Sequence, residues 1–80
     1  MHRLKNAAVV PAVIADKVAR ARDVHGRATT VLGARRAAQR WLMRPNPALG
    51  GKLPLSLLDT SLGWEQVKQV LGRIEHGVPG

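Results

Sequence analysis

Residues 45–54 read PNPALGGKLP, and this short stretch decides how the rest of the chain is organised. It holds three prolines, two glycines and one asparagine, residue types that interrupt helices and strands and favour turns. Leu49 and Leu53 supply apolar anchors, which a flexible linker rich in glycine and serine would lack. We therefore predict an ordered loop that contains no regular element and separates helical segments on either side.

A short helical turn and a final helix are predicted after this loop. Pro54 opens the turn, which carries three leucines at positions 55, 57 and 58. Thr60 is a favourable N-cap for the final helix, and Gly77 is expected to end it in the left-handed conformation. The apolar positions of this helix recur at helical spacing and comprise Trp64, Val67, Val70, Leu71 and Ile74.

Two further helices are predicted before the loop. The first runs from Pro11 to Leu32 and ends at Gly33, with a bend or break left open at Gly26. The second runs from Ala34 to about Met43 and ends before Pro45. The expected core face of the first helix comprises Val10, Ile14, Val18, Ala21, Val24, Ala28 and Val31. That of the second comprises Ala37, Ala38, Trp41 and Leu42.

The composition fits one small all-α domain. The chain has 80 residues, 45% of them hydrophobic, with two tryptophans and no cysteine. Disulfides are therefore excluded, and a single core of aliphatic side chains and tryptophan must stabilise the fold. The expected architecture is a long N-terminal helix, a second helix, the ordered loop with its helical turn, and a C-terminal helix.

The positive charge is confined to the first half of the chain. Residues 1–44 carry a net charge of +8, whereas residues 45–80 are neutral. Arg36, Arg40 and Arg44 stand at i, i+4 and i+8, which makes a stripe on the second helix. This stripe is read as a solvated face, as a contact for phosphate, or as a contact for an acidic protein partner, and charge alone leaves the three open.

No catalytic or metal-binding constellation emerges from the residue pattern. His2, His25 and His76 are too dispersed for a metal site. Ser56 or Ser61 could be combined with His76 and Asp59, but no nucleophile elbow frames such a triad. We therefore expect no enzymatic activity and no cofactor, and no stretch is long enough to span a membrane.

Several separated segments carry a resemblance to a known family. Residues 37–55 read AAQRWLMRPNPALGGKLPL, residues 57–60 read LLDT, and residues 71–77 read LGRIEHG, with Gly63 and Val67 between them. In this pattern the chain resembles the antitoxin Xre/MbcA/ParS-like toxin-binding domain, over roughly residues 18–77.

The resemblance implies the cytoplasmic antitoxin of a bacterial type II toxin–antitoxin pair. Its usual partner is a RES-domain toxin that depletes cellular NAD, and the antitoxin binds the toxin and obstructs its active site. Members of the family commonly carry a helix-turn-helix domain before this region. Residues 1–12 match nothing recognisable and leave no room for such a domain, so residues 13–80 are expected to form the toxin-binding domain and specific operator binding is doubtful. The sequence leaves open whether this is a minimal antitoxin or a truncated product of a longer one.

Two parts of the matched region are the expected toxin contacts. One is the ordered loop, and the other is the end of the last helix, where Arg73 offers a bidentate guanidinium to an acidic group of the toxin. The expected toxin-binding residues are Pro45, Asn46, Leu49, Gly50, Gly51, Lys52, Arg73, Glu75, His76 and Gly77.

The residue pattern leaves two alternatives to the antitoxin function open. The basic first half fits a small nucleic-acid-binding protein, whose affinity would fall steeply with salt. The apolar spacing of the first helix fits a dimerisation module, and a homodimer or a hetero-oligomer with the toxin is compatible with the antitoxin role.

Overall fold

A computed structural model of the chain describes residues 12–77, which form helices joined by short connections. Three are α-helices and two are short 3-10 helices, and within this range no strand occurs apart from one isolated bridge in the loop. They are α1 (Ala12–Leu32), α2 (Arg35–Leu42), η1 (Pro47–Leu49), η2 (Pro54–Asp59) and α3 (Ser61–Glu75). The predicted all-α fold is confirmed.

The structure reproduces the predicted helix ends at residues whose type favours a cap. Gly33 has a φ of +85° after α1, and Gly77 has a φ of +73° after α3, the left-handed conformation that glycine adopts without strain. The Thr60 hydroxyl oxygen accepts a hydrogen bond from the Gly63 amide at 3.0 Å and caps α3. α1 continues through Gly26 without interruption. The expected start at Pro11 and the unmatched segment before Ala12 lie outside the described residues.

One apolar core joins α1, α2, η2 and α3. Its buried side chains come from the predicted apolar faces, and Trp41 and Trp64 are half-buried against it, as the helical register predicted. The buried apolar residues are Val24, Ala28, Ala38, Leu42, Leu58, Val67, Val70 and Leu71.

Three predicted core positions are wrong. Ile14 and Val18 on α1 are 51% and 47% exposed, and Ile74 near the end of α3 is 38% exposed. From Ala12 to Ala19, every residue whose burial is described is exposed. The apolar stripe on the first turns of α1 therefore has no described partner, although polar side chains of the same turns contact η2.

The segment η2 is fixed to α1 by polar contacts. The Arg20 guanidinium donates from Nε to the Leu58 carbonyl at 2.7 Å and from Nη2 to the Asp59 carbonyl at 3.0 Å. These carbonyls end a 3-10 helix and have no partner of their own within it. The Lys17 ammonium also pairs with the Asp59 carboxylate at 2.7 Å, an exposed ion pair that contributes at most about 1 kcal/mol.

A second polar network joins α1 to α3. The Trp64 indole Nε1 donates to one Asp23 carboxylate oxygen at 3.0 Å, and Arg27 Nε donates to the other at 2.9 Å. The Lys68 ammonium lies 3.8 Å from the centre of the Trp64 ring, a cation–π distance. Trp64 therefore packs its ring between the helices while its polar atom is satisfied.

α3 approaches η2 closely at Gly63. A Cβ atom at this position would overlap the carbonyl oxygen of Leu57, which is backbone and has little freedom to move. Gly63 is buried, and it is the position where the first turn of α3 lies against η2. By contrast, a Cβ at Gly72 in the same helix would meet nothing within 4 Å.

Alanine at these two helical glycines is expected to have opposite effects. Gly63→Ala should lower the free energy of unfolding by about 1–3 kcal/mol, because the methyl group forces η2 away from α3. Gly72→Ala should raise it by up to about 1 kcal/mol, because alanine favours the helix and the space is open. Urea unfolding followed by circular dichroism measures both, and equal effects of the two substitutions would contradict the close approach.

Candidate functional site

The loop between α2 and η2 is closed by its own backbone. The Asn46 amide donates to the Lys52 carbonyl at 3.0 Å, and the Asn46 carbonyl accepts from the amides of Leu49 and Gly51, both at 2.9 Å. The Asn46 side chain also accepts a hydrogen bond from the Ala48 amide at 2.9 Å. Asn46 thus organises the loop from its first turn, and the predicted ordered loop is confirmed.

The prediction that no regular element survives in this loop is wrong. Residues Pro47–Leu49 form a 3-10 turn, because proline at its first position presets φ and Asn46 caps it. Gly50 and Gly51 follow with φ values of +68° and +81°. Two successive left-handed residues reverse the chain and bring Lys52 back beside Asn46.

A groove of about 410 Å³ runs between this loop and α3. The loop supplies Leu49, Gly50 and Lys52, which were predicted as toxin contacts, and α3 supplies Arg73, predicted from the other end of the matched region. The structure therefore brings together the two parts of the predicted site. The remaining lining residues are Ala48, Leu57, Gln66, Gln69 and Val70.

The chemistry of this groove is apolar with positive charge and no acidic side chain. Leu49, Leu57 and Val70 provide apolar surface, and Lys52 and Arg73 provide two cations. No Asp or Glu is among its lining residues, so the cations have no counter-charge within the groove. Such a surface can bind a peptide segment that combines apolar side chains with a carboxylate.

The sequence pattern could have identified the groove face of α3. Gln66, Gln69, Val70 and Arg73 stand at i, i+3, i+4 and i+7, which places them on one side of the helix. His76 follows at i+10, and it lines a shallow groove of about 350 Å³ with Gln69, Gly72 and Arg73. This surface continues the groove towards the end of α3.

Glu75 lies apart from the rest of the predicted toxin-binding set. It lines a different groove, of about 200 Å³, with α1 residues that include Arg27 and Thr30. Residues two positions apart on a helix point to different sides, so Glu75 cannot share the face of Arg73. Gly77 ends the helix, and Pro45 is exposed at the start of the loop.

The arginine stripe occupies a third surface. Arg36, Arg40 and Arg44 are all exposed, and none of them lines the groove between the loop and α3. Arg44 lies two residues beyond the last residue of α2, and its amide donates to the Trp41 carbonyl at 3.5 Å.

Other kinds of site find no support in residues 12–77. This part of the chain contains no cluster of three or more His, Cys, Asp or Glu side chains that could hold a metal ion. None of its helices is both long and apolar enough to cross a membrane.

Comparison with known proteins identifies relatives of this region. A sequence model of the antitoxin Xre/MbcA/ParS C-terminal toxin-binding domain matches residues 27–77. A protein called Antitoxin Xre from Photorhabdus laumondii subsp. laumondii is 44% identical over 46 residues, which is 58% of this chain and 31% of that protein. Another Antitoxin Xre, from Pseudomonas putida, is 32% identical over 62 residues, 78% of this chain and 39% of that protein. The aligned residues therefore span about a third of each relative.

The left-handed turn predicts how the loop responds to substitution. Gly50→Ala should lower the free energy of unfolding by about 1–2 kcal/mol, because an L side chain is strained at a φ of +68° although the space around it is open. Gly50→Asn should cost less, since asparagine tolerates this conformation. Urea unfolding of the two variants compares the costs, and a larger loss for asparagine would argue against backbone strain as the cause.

Proposed function

The chain belongs to the antitoxin Xre/MbcA/ParS C-terminal toxin-binding domain family, and from this premise we propose that it binds and neutralises a protein toxin. It does so as an antitoxin of a toxin–antitoxin pair and has no enzymatic activity of its own. Residues 13–80 form the toxin-binding domain in this proposal, which extends the matched residues 27–77 to include most of α1.

This proposal rests on the groove between the loop and α3. It combines a loop held by its own hydrogen bonds with one face of a capped helix. A surface that is ordered before binding loses little conformational entropy when the partner docks. Its two unbalanced cations, Lys52 and Arg73, suit an acidic segment of the toxin.

The more specific part of the proposal concerns the class of toxin and how the antitoxin inhibits it. The partner in this proposal is a RES-domain toxin that depletes NAD, and the antitoxin obstructs its active site in the cytoplasm. The support is the resemblance of residues 37–77 to antitoxins whose usual partners are RES-domain toxins. Glu75 and His76, both exposed at the end of α3, reach into a cleft of the toxin in this proposal.

Co-expression of the chain with a candidate toxin encoded beside its gene tests the proposal in two steps. Copurification tests toxin binding, and the cellular NAD level tests the RES assignment. We expect the two proteins to copurify and NAD to be preserved. Copurification with a toxin that never lowers NAD would remove the RES assignment alone, whereas no copurification would remove the neutralising role.

Charge reversal in the groove provides a sharper test of the contact surface. Lys52→Glu and Arg73→Glu should each weaken toxin binding by roughly 10–100-fold, since a charge-assisted contact contributes about 1.5–3 kcal/mol. Arg22→Glu is the matched control, because this cation is exposed on α1, away from the groove. Isothermal titration calorimetry measures the three affinities, and an equal loss for all three would show that general charge, not the groove, attracts the toxin.

A helical dimerisation role remains a second candidate, supported by one observation. Ile14 and Val18 form an apolar face on α1 that is about half exposed. A groove of about 520 Å³ on the same helix is lined by Ala15, Val18, Ala19 and Arg22. Pairing of this face with a second copy is compatible with toxin binding, since the groove between the loop and α3 does not include it.

A further inference from the structure

Seven of the ten basic residues of the first half fall into two groups in the structure. Of the others, Arg22 is exposed on α1, and Arg3 and Lys5 lie outside the described residues. Lys17 pairs with Asp59, Arg20 binds the carbonyls at the end of η2, and Arg27 binds Asp23. These three cations hold α1 to the rest of the fold or stabilise α1 itself. The other group consists of the arginines of α2 and the arginine two residues beyond its end. We call it the arginine face, and it comprises Arg35, Arg36, Arg40 and Arg44.

All four residues of the arginine face are exposed, and no salt bridge joins any of them to another described residue. The five acidic side chains of the chain all lie on other elements. Asp23, Asp59 and Glu65 pair with cations outside α2, and Asp16 and Glu75 line grooves beside α1 and α3. The fold therefore supplies no carboxylate to neutralise this face.

The arrangement carries an energetic cost in the isolated chain. Within α2, Arg36 and Arg40 stand at i and i+4, and Arg44 lies two residues beyond the helix end. Like charges at this spacing in a helix destabilise it by about 0.2–0.5 kcal/mol. An external anion that lies along α2 would relieve this repulsion and gain attraction from every guanidinium.

A nucleic-acid backbone fits the arginine face better than a protein does. The face also exposes Gln39 and Met43, so one apolar side chain stands among four cations. Arginine and methionine are both common in protein interfaces, but such interfaces bury a core of several apolar and aromatic side chains, and this face offers one. From Arg36 to Arg40 the helix rises about 6 Å, at 1.5 Å per residue, and Arg44 extends the stripe beyond the helix end. A duplex carries one phosphate per about 1.7 Å of axis, so several phosphates lie within reach of the stripe.

We propose that the arginine face binds the phosphate backbone of a nucleic-acid duplex without reading its sequence. The contact is electrostatic, and it uses a surface separate from the groove between the loop and α3. The proposal does not depend on toxin binding, because no residue of the arginine face lines that groove.

The test is a salt titration of duplex binding, measured by fluorescence anisotropy with the 80-residue chain. The probes are two DNA duplexes of unrelated sequence and an RNA duplex of one of those sequences. For DNA, the logarithm of the association constant should fall linearly with the logarithm of salt concentration, by about 0.9 for each phosphate contacted. Replacing Arg36, Arg40 and Arg44 together by glutamine should reduce that slope by about 3.

Two further variants make the result specific. A control in which Arg22, Lys52 and Arg73 become glutamine removes the same charge from other surfaces and should change the slope by less than 1. Replacing the three arginines of the stripe by lysine should keep the slope, because a point charge suffices for phosphate. Circular dichroism establishes that each variant is folded, which is expected because the replaced side chains are exposed.

The outcomes separate the alternatives. Equal affinity for the two DNA sequences, together with a loss confined to the arginine-face variant, supports the proposal. Binding of only the DNA or only the RNA duplex then identifies which duplex is the ligand. No binding by the wild-type chain at low salt, or equal losses in the arginine-face variant and the control, would overturn it. Unchanged duplex binding with weakened toxin binding in the arginine-face variant would assign the face to an acidic protein instead.

Discussion

The fold depends on the contact between Gly63 and the backbone of Leu57, where the missing side chain lets α3 lie directly against η2. This contact sets the position of η2, whose Leu58 is fully buried in the core. On the other side, Arg20 binds the carbonyls of Leu58 and Asp59. A short 3-10 segment is thus held between two long helices, and in a domain of this size there is little other core to replace it.

The same segment also determines the shape of the candidate site. Leu57 is next to the buried Leu58 and lines the groove, so the residue that contacts Gly63 also contributes to the binding surface. The loop reaches this position through its own closure between Asn46 and Lys52. Stability and binding are therefore coupled, because a displacement of η2 would shift one wall of the groove relative to the other.

Local signals in the sequence predicted the elements well, whereas burial required the tertiary structure. Gly33 and Thr60 specify helix ends through their own backbone or side-chain chemistry, and the structure confirms both. Ile14 and Val18 continue the apolar period of α1, but periodicity identifies a face and does not establish that another element covers it. The sequence predicted the two sides of the groove as separate segments of the chain. It did not predict that they meet, because Lys52 comes close to Arg73 only through the turn at the loop glycines.

The net charge of a segment likewise does not show which of its cations are available to a ligand. The excess of +8 in residues 1–44 suggested one basic surface, yet part of it serves the fold itself. Arg20 acts as a hydrogen-bond donor to carbonyls and Arg27 as the partner of Asp23, so neither charge is free for a ligand in the same way as Arg40. A charge count gives equal weight to a structural cation and an exposed one, and the positions of the carboxylates and of the carbonyls that end η2 distinguish them. Because those carboxylates lie on α1, η2 and α3, the described cations that lack a carboxylate partner are most numerous along α2, on a surface separate from the groove that faces its proposed protein partner.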